Sequence, residues 1–265
     1  MSDWLHNLPL VWMGLVVFGF TFLVAAAIYA LVMILAPRHA RSFKAVSPGM
    51  LPPLGIIFGL FVGFTAAQVW SDSTQANAAV DREASALRTV VLLADTFPGE
   101  TETRLRALVA SYIAEAAAQE WPLMAHRAIT LTPTPHALAE ALHLTLALDP
   151  ASHGQQTAQR DIAAALENAM DARRQRITIS QSEVHWVKWL CLYLQAACAL
   201  GAIAMVHSDN RLACVITMGL FAAGVAASVL LIAAHDRPFI GDISVGPGPL
   251  LQVMPAVENS QSRTD

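Results

Sequence analysis

Charge is scarce in this sequence. Only 14% of its 265 residues are Asp, Glu, Lys or Arg, against roughly a quarter in soluble globular chains. With 55% apolar residues, that shortage argues against a soluble single domain and against a disordered chain. The net charge of −4 and the pI of 6.1 exclude the basic footprint of a nucleic-acid binder. Cysteine is scarce too: Cys191, Cys198 and Cys214 fall inside apolar runs, without a CxxC spacing or a neighbouring His pair, so neither a disulfide framework nor a zinc site is indicated. Catalytic signatures are missing, with no HExxH, GxSxG, P-loop or dinucleotide-binding glycine fingerprint. Asp81 and Glu83, two apart, lie on different helical faces and do not form a carboxylate pair. His136 and His143, seven apart, share a helical face, and two imidazoles alone do not make a metal site. The chain reads as a non-enzyme, with no cofactor and no metal expected.

What the sequence has in excess is long uncharged runs. Leu8 to Ala36 is 29 residues without a formal charge, more than the roughly 20 a helix needs to cross the hydrocarbon core. Asp3 and His6 before it do not form the basic n-region of a signal peptide, so it is expected to be a membrane helix. Leu51 to Val69, Trp186 to Val206 and Leu212 to Ala234 supply three more spans of 19, 21 and 23 residues. Pro52 and Pro53 open the second, in a first turn whose N–H groups lack partners anyway. Trp4, Trp12, Trp70, Trp186 and Trp189 stand at or near the ends of these runs, as an aromatic belt would.

Residues 71–185 are different. They carry nine Arg, no Lys and fourteen Asp or Glu, a net of −5, and their apolar residues recur at helical spacing, as at Leu105, Leu108, Val109, Tyr112, Ile113 and Ala116. Phe97-Pro98-Gly99 and Asp149-Pro150 read as stops. Pro133-Thr134-Pro135 reads as a helix start with Thr134 as N-cap, and Ser152 with Gln155 reads as a capping box. No breaker separates Leu54 from Phe97 or Gly154 from Val206, so the second and third membrane helices are expected to run on into this domain. The expected fold is all-α: four transmembrane helices, with a water-facing helical domain inserted between the second and third and long helices continuous with the membrane bundle. The expected divisions are 1–70, 71–185, 186–235 and a C-terminal segment and polar tail from 236 to 265.

Arg38, Arg41 and Lys44 in the short Pro37–Ser47 loop, and Arg211 ending the other short loop, place both loops in the cytoplasm by the positive-inside bias. That bias would put the central domain outside. Arg82, Arg88, Arg173, Arg174 and Arg176, which flank the domain's own membrane helices, weigh the other way.

The segment Leu54-Gly55-Ile56-Ile57-Phe58-Gly59-Leu60-Phe61-Val62-Gly63-Phe64, followed by Trp70, resembles the pore helix of bestrophins, anion channels that assemble as pentamers. From Leu8 to Pro255 the chain is similar to the bestrophin-like DUF4239 family of bacterial membrane proteins. The segments that carry this resemblance are Glu83-Ala84-Ser85-Ala86-Leu87, Glu120-Trp121-Pro122, Asp171 to Arg176 and His235-Asp236-Arg237-Pro238-Phe239-Ile240-Gly241. The resemblance implies a homo-oligomer, pentameric by analogy, in a bacterial inner membrane. Lipid and small anions would be its partners, and the large domain would face the cytoplasm. It also implies a hydrophobic neck from Ile56, Leu60 and Phe64, one helical stripe whose copies around an axis can gate by dewetting.

Gly55, Gly59 and Gly63 form an adjacent stripe that would let helices approach closely, and the same pattern serves any packed membrane helix. Gln68 is a candidate for the pore mouth, and Gln195 for a hydrogen bond between helices. Arg173, Arg174 and Arg176 would either attract anions to a vestibule or bind lipid headgroups, or else pair with nearby Asp171, Glu167 or Glu183. Asp236, Arg237, Pro238 and Phe239 read as a latch that ties the C-terminal segment to the central domain. With only Asp242 following, no calcium site is predicted. The other functional class open to this sequence is a non-conducting membrane sensor or scaffold whose helical domain binds a partner.

Overall fold

The structure is a computed structural model that describes residues 8–44, 48–131 and 134–253, with side chains for 8–35, 48–131 and 134–253. Every regular element among these residues is helical: α1 (Leu10–Lys44), a 3₁₀ turn (Pro48–Met50), α2 (Leu51–Ala94), α3 (Glu100–Glu115), a π turn (Ala116–Glu120), α4 (Trp121–Ala125), α5 (His136–Leu146), α6 (His153–Ser180), α7 (Trp186–Val206), α8 (Arg211–His235) and α9 (Gly248–Leu251). Four of these, α1, α2, α7 and α8, are long and apolar enough to cross a membrane.

The chain divides into two compact units, Met1–Asp72 with Glu183–Ser244 and Ser73–Ser182 with Val245–Asp265. In the first, Met13, Val17, Phe58, Val69, Trp189, Leu192, Val225 and Val229 form one apolar cluster of side chains from α1, α2, α7 and α8. A second cluster joins Ala25, Val32, Leu200, Ala204, Cys214, Met218 and Ala222. Small residues dominate it, which lets α1, α7 and α8 pack closely where no hydrophobic drive separates helix from lipid. In the second unit Ile162, Leu166, Ala169 and Ile177 of α6 are fully buried, as are Leu105, Val109 and Ile113 of α3 and Leu138 of α5, and α5 packs against both α3 and α6.

Helix α2 is unbroken over 44 residues, about 66 Å at 1.5 Å per residue. The third apolar run does not continue the helix before it. Helix α6 stops at Ser180 and α7 begins afresh at Trp186, although no proline or glycine lies between. Polar side chains make the break. Ser180 Oγ and Ser182 Oγ donate to the carbonyls of Ile177 and Ile179, Arg127 donates to Gln181 O at 2.6 Å, and Val184 N–H is taken by Asp236 Oδ1 at 2.6 Å. Such local bonds offer the backbone an alternative to the helix ladder.

Helix boundaries differ elsewhere by a residue or more. The backbone is helical through Lys44, so Arg38, Arg41 and Lys44 lie on a helical extension rather than in a loop from Pro37. Pro135, not Thr134, caps α5, because its carbonyl accepts the first bond of the helix from Ala139 N–H at 3.1 Å. Pro133 and Trp4 lie outside the described residues. At α6, Ser152 Oγ accepts from Gln155 N–H at 3.2 Å, and Gln155 Oε1 reaches back to Ala151 N–H at 2.8 Å. Gly99, at φ 102°, takes a left-handed backbone that turns the chain from α2 into α3.

Candidate pore helix and a buried charge network

Within the membrane unit, α2 packs with one side only. Phe58, Thr65 and Val69 are buried, Phe58 against Phe221 of α8 with ring centroids 5.6 Å apart. At 100° per residue, Ile56, Leu60 and Phe64 project from the opposite side of the helix. They are 69%, 58% and 69% exposed. Gly55, Gly59 and Gly63 flank that stripe, and a methyl group added at any of them would meet nothing within 4 Å. Among the described residues, no other helix comes within that distance of them. The most apolar stretch of α2 is 11% buried, the least of the four spans.

Gln68 accepts a hydrogen bond from Lys188 Nζ on α7, so an ammonium near the start of that helix holds its amide. Gln195 Oε1 is sealed from solvent with no hydrogen-bond partner among the described residues. Of the latch residues, Asp236 accepts from Val184 N–H, and Arg237 Nη2 lies 3.6 Å from Glu183 Oε2. Asp236, Arg237 and Phe239 are buried. Asp242 Oδ2 accepts from Leu10 N–H at 2.9 Å, which caps α1 with a residue 232 positions away. No group of metal-ligating side chains occurs among the described residues; His136 Nδ1 lies 3.6 Å from Glu140 Oε2.

The arginine cluster before α7 is where the structure departs most from sequence expectation. Arg174 is exposed and pairs with Asp171, as expected. Arg173 and Arg176 are buried and pair with acids remote in sequence. Arg176 donates through Nε to Glu83 Oε2 at 2.8 Å, and through Nη2 to Glu83 Oε1 at 3.0 Å and Glu120 Oε2 at 2.7 Å. Its Nη1 meets Met124 Sδ at 3.3 Å, and its guanidinium lies 4.3 Å from the centroid of the Trp121 ring. Arg173 grips Glu120 Oε1 through Nε at 2.7 Å and Nη2 at 2.6 Å. Tyr112 donates its hydroxyl to Glu83 Oε1. Two guanidinium groups face two carboxylates, so the network is neutral and every charge in it is paired, as burial demands.

Burial, and then the Glu83 charge, pushes the Tyr112 hydroxyl well above its ordinary pKa. Burial alone would lower the pKa of Arg176, but Glu83 first, with Tyr112 and Glu120, more than offsets this and raises it. Glu120 and Trp121 are consecutive and both buried. Here the π turn Ala116–Glu120 widens the helix. Pro122, which has no N–H and would clash with the carbonyl four residues back, accounts for it.

The sequence profile of the bestrophin-like domain matches residues 19–250 of this chain. The chain belongs to the bestrophin-like family. Among solved structures, this bestrophin-like chain is similar to two variants of a bacterial bestrophin homologue from Klebsiella pneumoniae. The variant with isoleucine replaced by threonine matches with a TM-score of 0.72 at 13% identity, over 89% of this chain and 97% of the other. The variant with leucine replaced by threonine matches with a TM-score of 0.71 at 12% identity, over 89% and 96%. At those identities the likeness is one of fold. No curated protein matches the sequence of this chain. The four apolar spans and the family together make it a multi-pass membrane protein.

Proposed function

We propose that this bestrophin-like protein assembles as a homo-oligomer in the bacterial inner membrane and forms an anion-conducting channel, with α2 of each copy around a central axis. The observation that carries the reading is the side of α2 left open by the chain's own packing. It presents a stripe of Ile56, Leu60 and Phe64 flanked by bare glycine backbone. An isolated lipid-facing helix has no need of three glycines in register, whereas helices meeting around an axis use such a stripe for close approach, and the apolar ladder beside it makes a dewetting constriction. Resemblance to the bestrophin pore helix supports five copies around the axis and small anions as the permeant class. Of the arginine cluster, Arg174 is the exposed member, and it pairs with Asp171.

The test is reconstitution. Purified protein in chloride-loaded liposomes should release chloride faster than empty liposomes, with Leu60→Ala changing the rate, and size analysis in mild detergent should give a higher oligomer. A monomer or dimer, or flux at the empty-liposome level from a proven oligomer, favours the scaffold reading instead. Running the assay in parallel with potassium as the only permeant ion tests the anion assignment.

A further inference from the structure

The helical unit holds a cavity of about 580 Å³ with the buried charge network at one edge, lined among others by Glu115, Glu120, Leu123, Ile129, Ala139 and Arg173. That volume lies within the range of roughly 300–1,000 Å³ typical of small-molecule sites. Its lining is chemically divided. Arg173 is 6% exposed and spends Nε and Nη2 on Glu120 Oε1. Its Nη1 makes no hydrogen bond among the described residues, yet is not among the sealed polar atoms. One N–H-bearing arm of a buried, fixed guanidinium is therefore open to the cavity, set to donate to an acceptor.

Glu115, which caps the π turn five residues before Glu120, lines the same cavity. Glu120 is saturated by two arginines, whereas Glu115 has no ion pair among the described residues and lines the cavity with its charge uncompensated. Leu123, Ile129 and Ala139 supply an apolar wall. The open groups are thus one cationic donor, one carboxylate about a turn away and a hydrophobic surface between the π turn and the start of α5.

We propose that this cavity binds a small zwitterion with an aliphatic body, of the aliphatic α-amino acid class. Its carboxylate accepts from Arg173 Nη1, its ammonium pairs with Glu115, and its side chain lies against Leu123, Ile129 and Ala139. A simple anion is disfavoured by Glu115 beside a guanidinium already neutralised by Glu120, and a simple cation leaves the Arg173 arm unused. Only a molecule carrying both charges answers both groups. The site does not depend on the pore reading, and its test measures binding rather than flux.

The test is calorimetric titration of L-leucine into the full-length protein purified in detergent. The expected result is saturable binding that weakens at least tenfold when either charge is removed from the probe, as in N-acetyl-leucine and leucinamide. Ala139→Trp, which fills the cavity from a partly exposed position on α5, should abolish binding. Glu115→Gln, at an exposed position, should weaken leucine while leaving N-acetyl-leucine as weak as before, because only leucine carries the ammonium. The proposal is overturned if leucine shows no saturable heat, if both singly charged analogues bind as well as leucine, or if Glu115→Gln binds leucine as the native chain does.

Discussion

Arg176 and Glu83, 93 positions apart in the chain, form a two-bond ion pair in which neither side chain is exposed to solvent. Removing one partner of a buried pair strands the other charge, at a cost of about 3–5 kcal/mol. Arg176→Met is therefore expected to lower the thermal midpoint sharply in detergent. Glu83→Leu combined with Arg176→Met removes one charge of each sign and leaves Arg173 with Glu120 still paired. That double variant should recover much of the loss. A double variant as unstable as Arg176→Met would show that the pair matters for packing rather than for charge balance.

Tyr112 sets an alkaline limit. Its pKa is raised well above the ordinary 10.0 by burial first and then by Glu83. A group whose pKa is higher in the folded state contributes stability that is fully present below its unfolded value and is lost as pH rises from there toward the folded value. Stability should hold to about pH 10 and fall above it, with one tyrosinate appearing only as the chain unfolds. Tyr112→Phe should remove that part of the pH dependence while costing about 1.5–3 kcal/mol at neutral pH for the lost bond to a carboxylate. Absorbance titration beside circular dichroism checks both.

Much of this network was written in the sequence in a form that pairing by proximity hides. Glu83 falls in phase with Ala76, Ala79, Val80, Leu87 and Val90, and Arg173 and Arg176 fall in phase with Ile162, Leu166, Ala169 and Ile177. A charged residue in register with an apolar stripe is a buried charge that needs a distant partner. Sequence neighbours such as Asp171 explain only the arginine that is out of phase, Arg174. Glu120, four residues after the buried Ala116 and seven after Ile113, was legible by the same register, whereas the π turn itself was not. The four membrane spans and the unbroken α2 were legible from length and apolarity alone. The break between α6 and α7 was not, because serine hydroxyls and the distant Asp236 make it rather than proline or glycine.

The start of α6 depends on its cap. Ser152 Oγ holds Gln155 N–H, and Gln155 Nε2 in turn donates to Thr96 O at 3.1 Å. Ser152→Ala should cost about 1 kcal/mol, and Ser152→Asp should restore it. Amide exchange at the first turn of α6 should rise in the alanine variant and return to the native rate in the aspartate variant.

The C-terminal segment is held within the helical unit by Trp121, whose Nε1–H donates to Val245 O at 3.0 Å in a buried setting, and by Leu250, which is fully buried. Trp121→Phe keeps an aromatic ring beneath Arg176 but removes the donor. Limited proteolysis should then cut after residue 245 at least several-fold faster than in the native protein, with the thermal midpoint lowered by less than in Arg176→Met.

The central claim is that the Ile56, Leu60 and Phe64 stripe of several copies lines one conducting axis. Thiol block of a Leu60→Cys variant in liposomes tests it most directly. Chloride flux through Leu60→Cys should fall to the empty-liposome level on addition of a bulky, water-soluble thiol reagent, while the native chain, with its own Cys191, Cys198 and Cys214, keeps its flux. Flux through Leu60→Cys that is indifferent to the reagent after the cysteine is shown to be labelled, or no flux from either protein, would contradict the account.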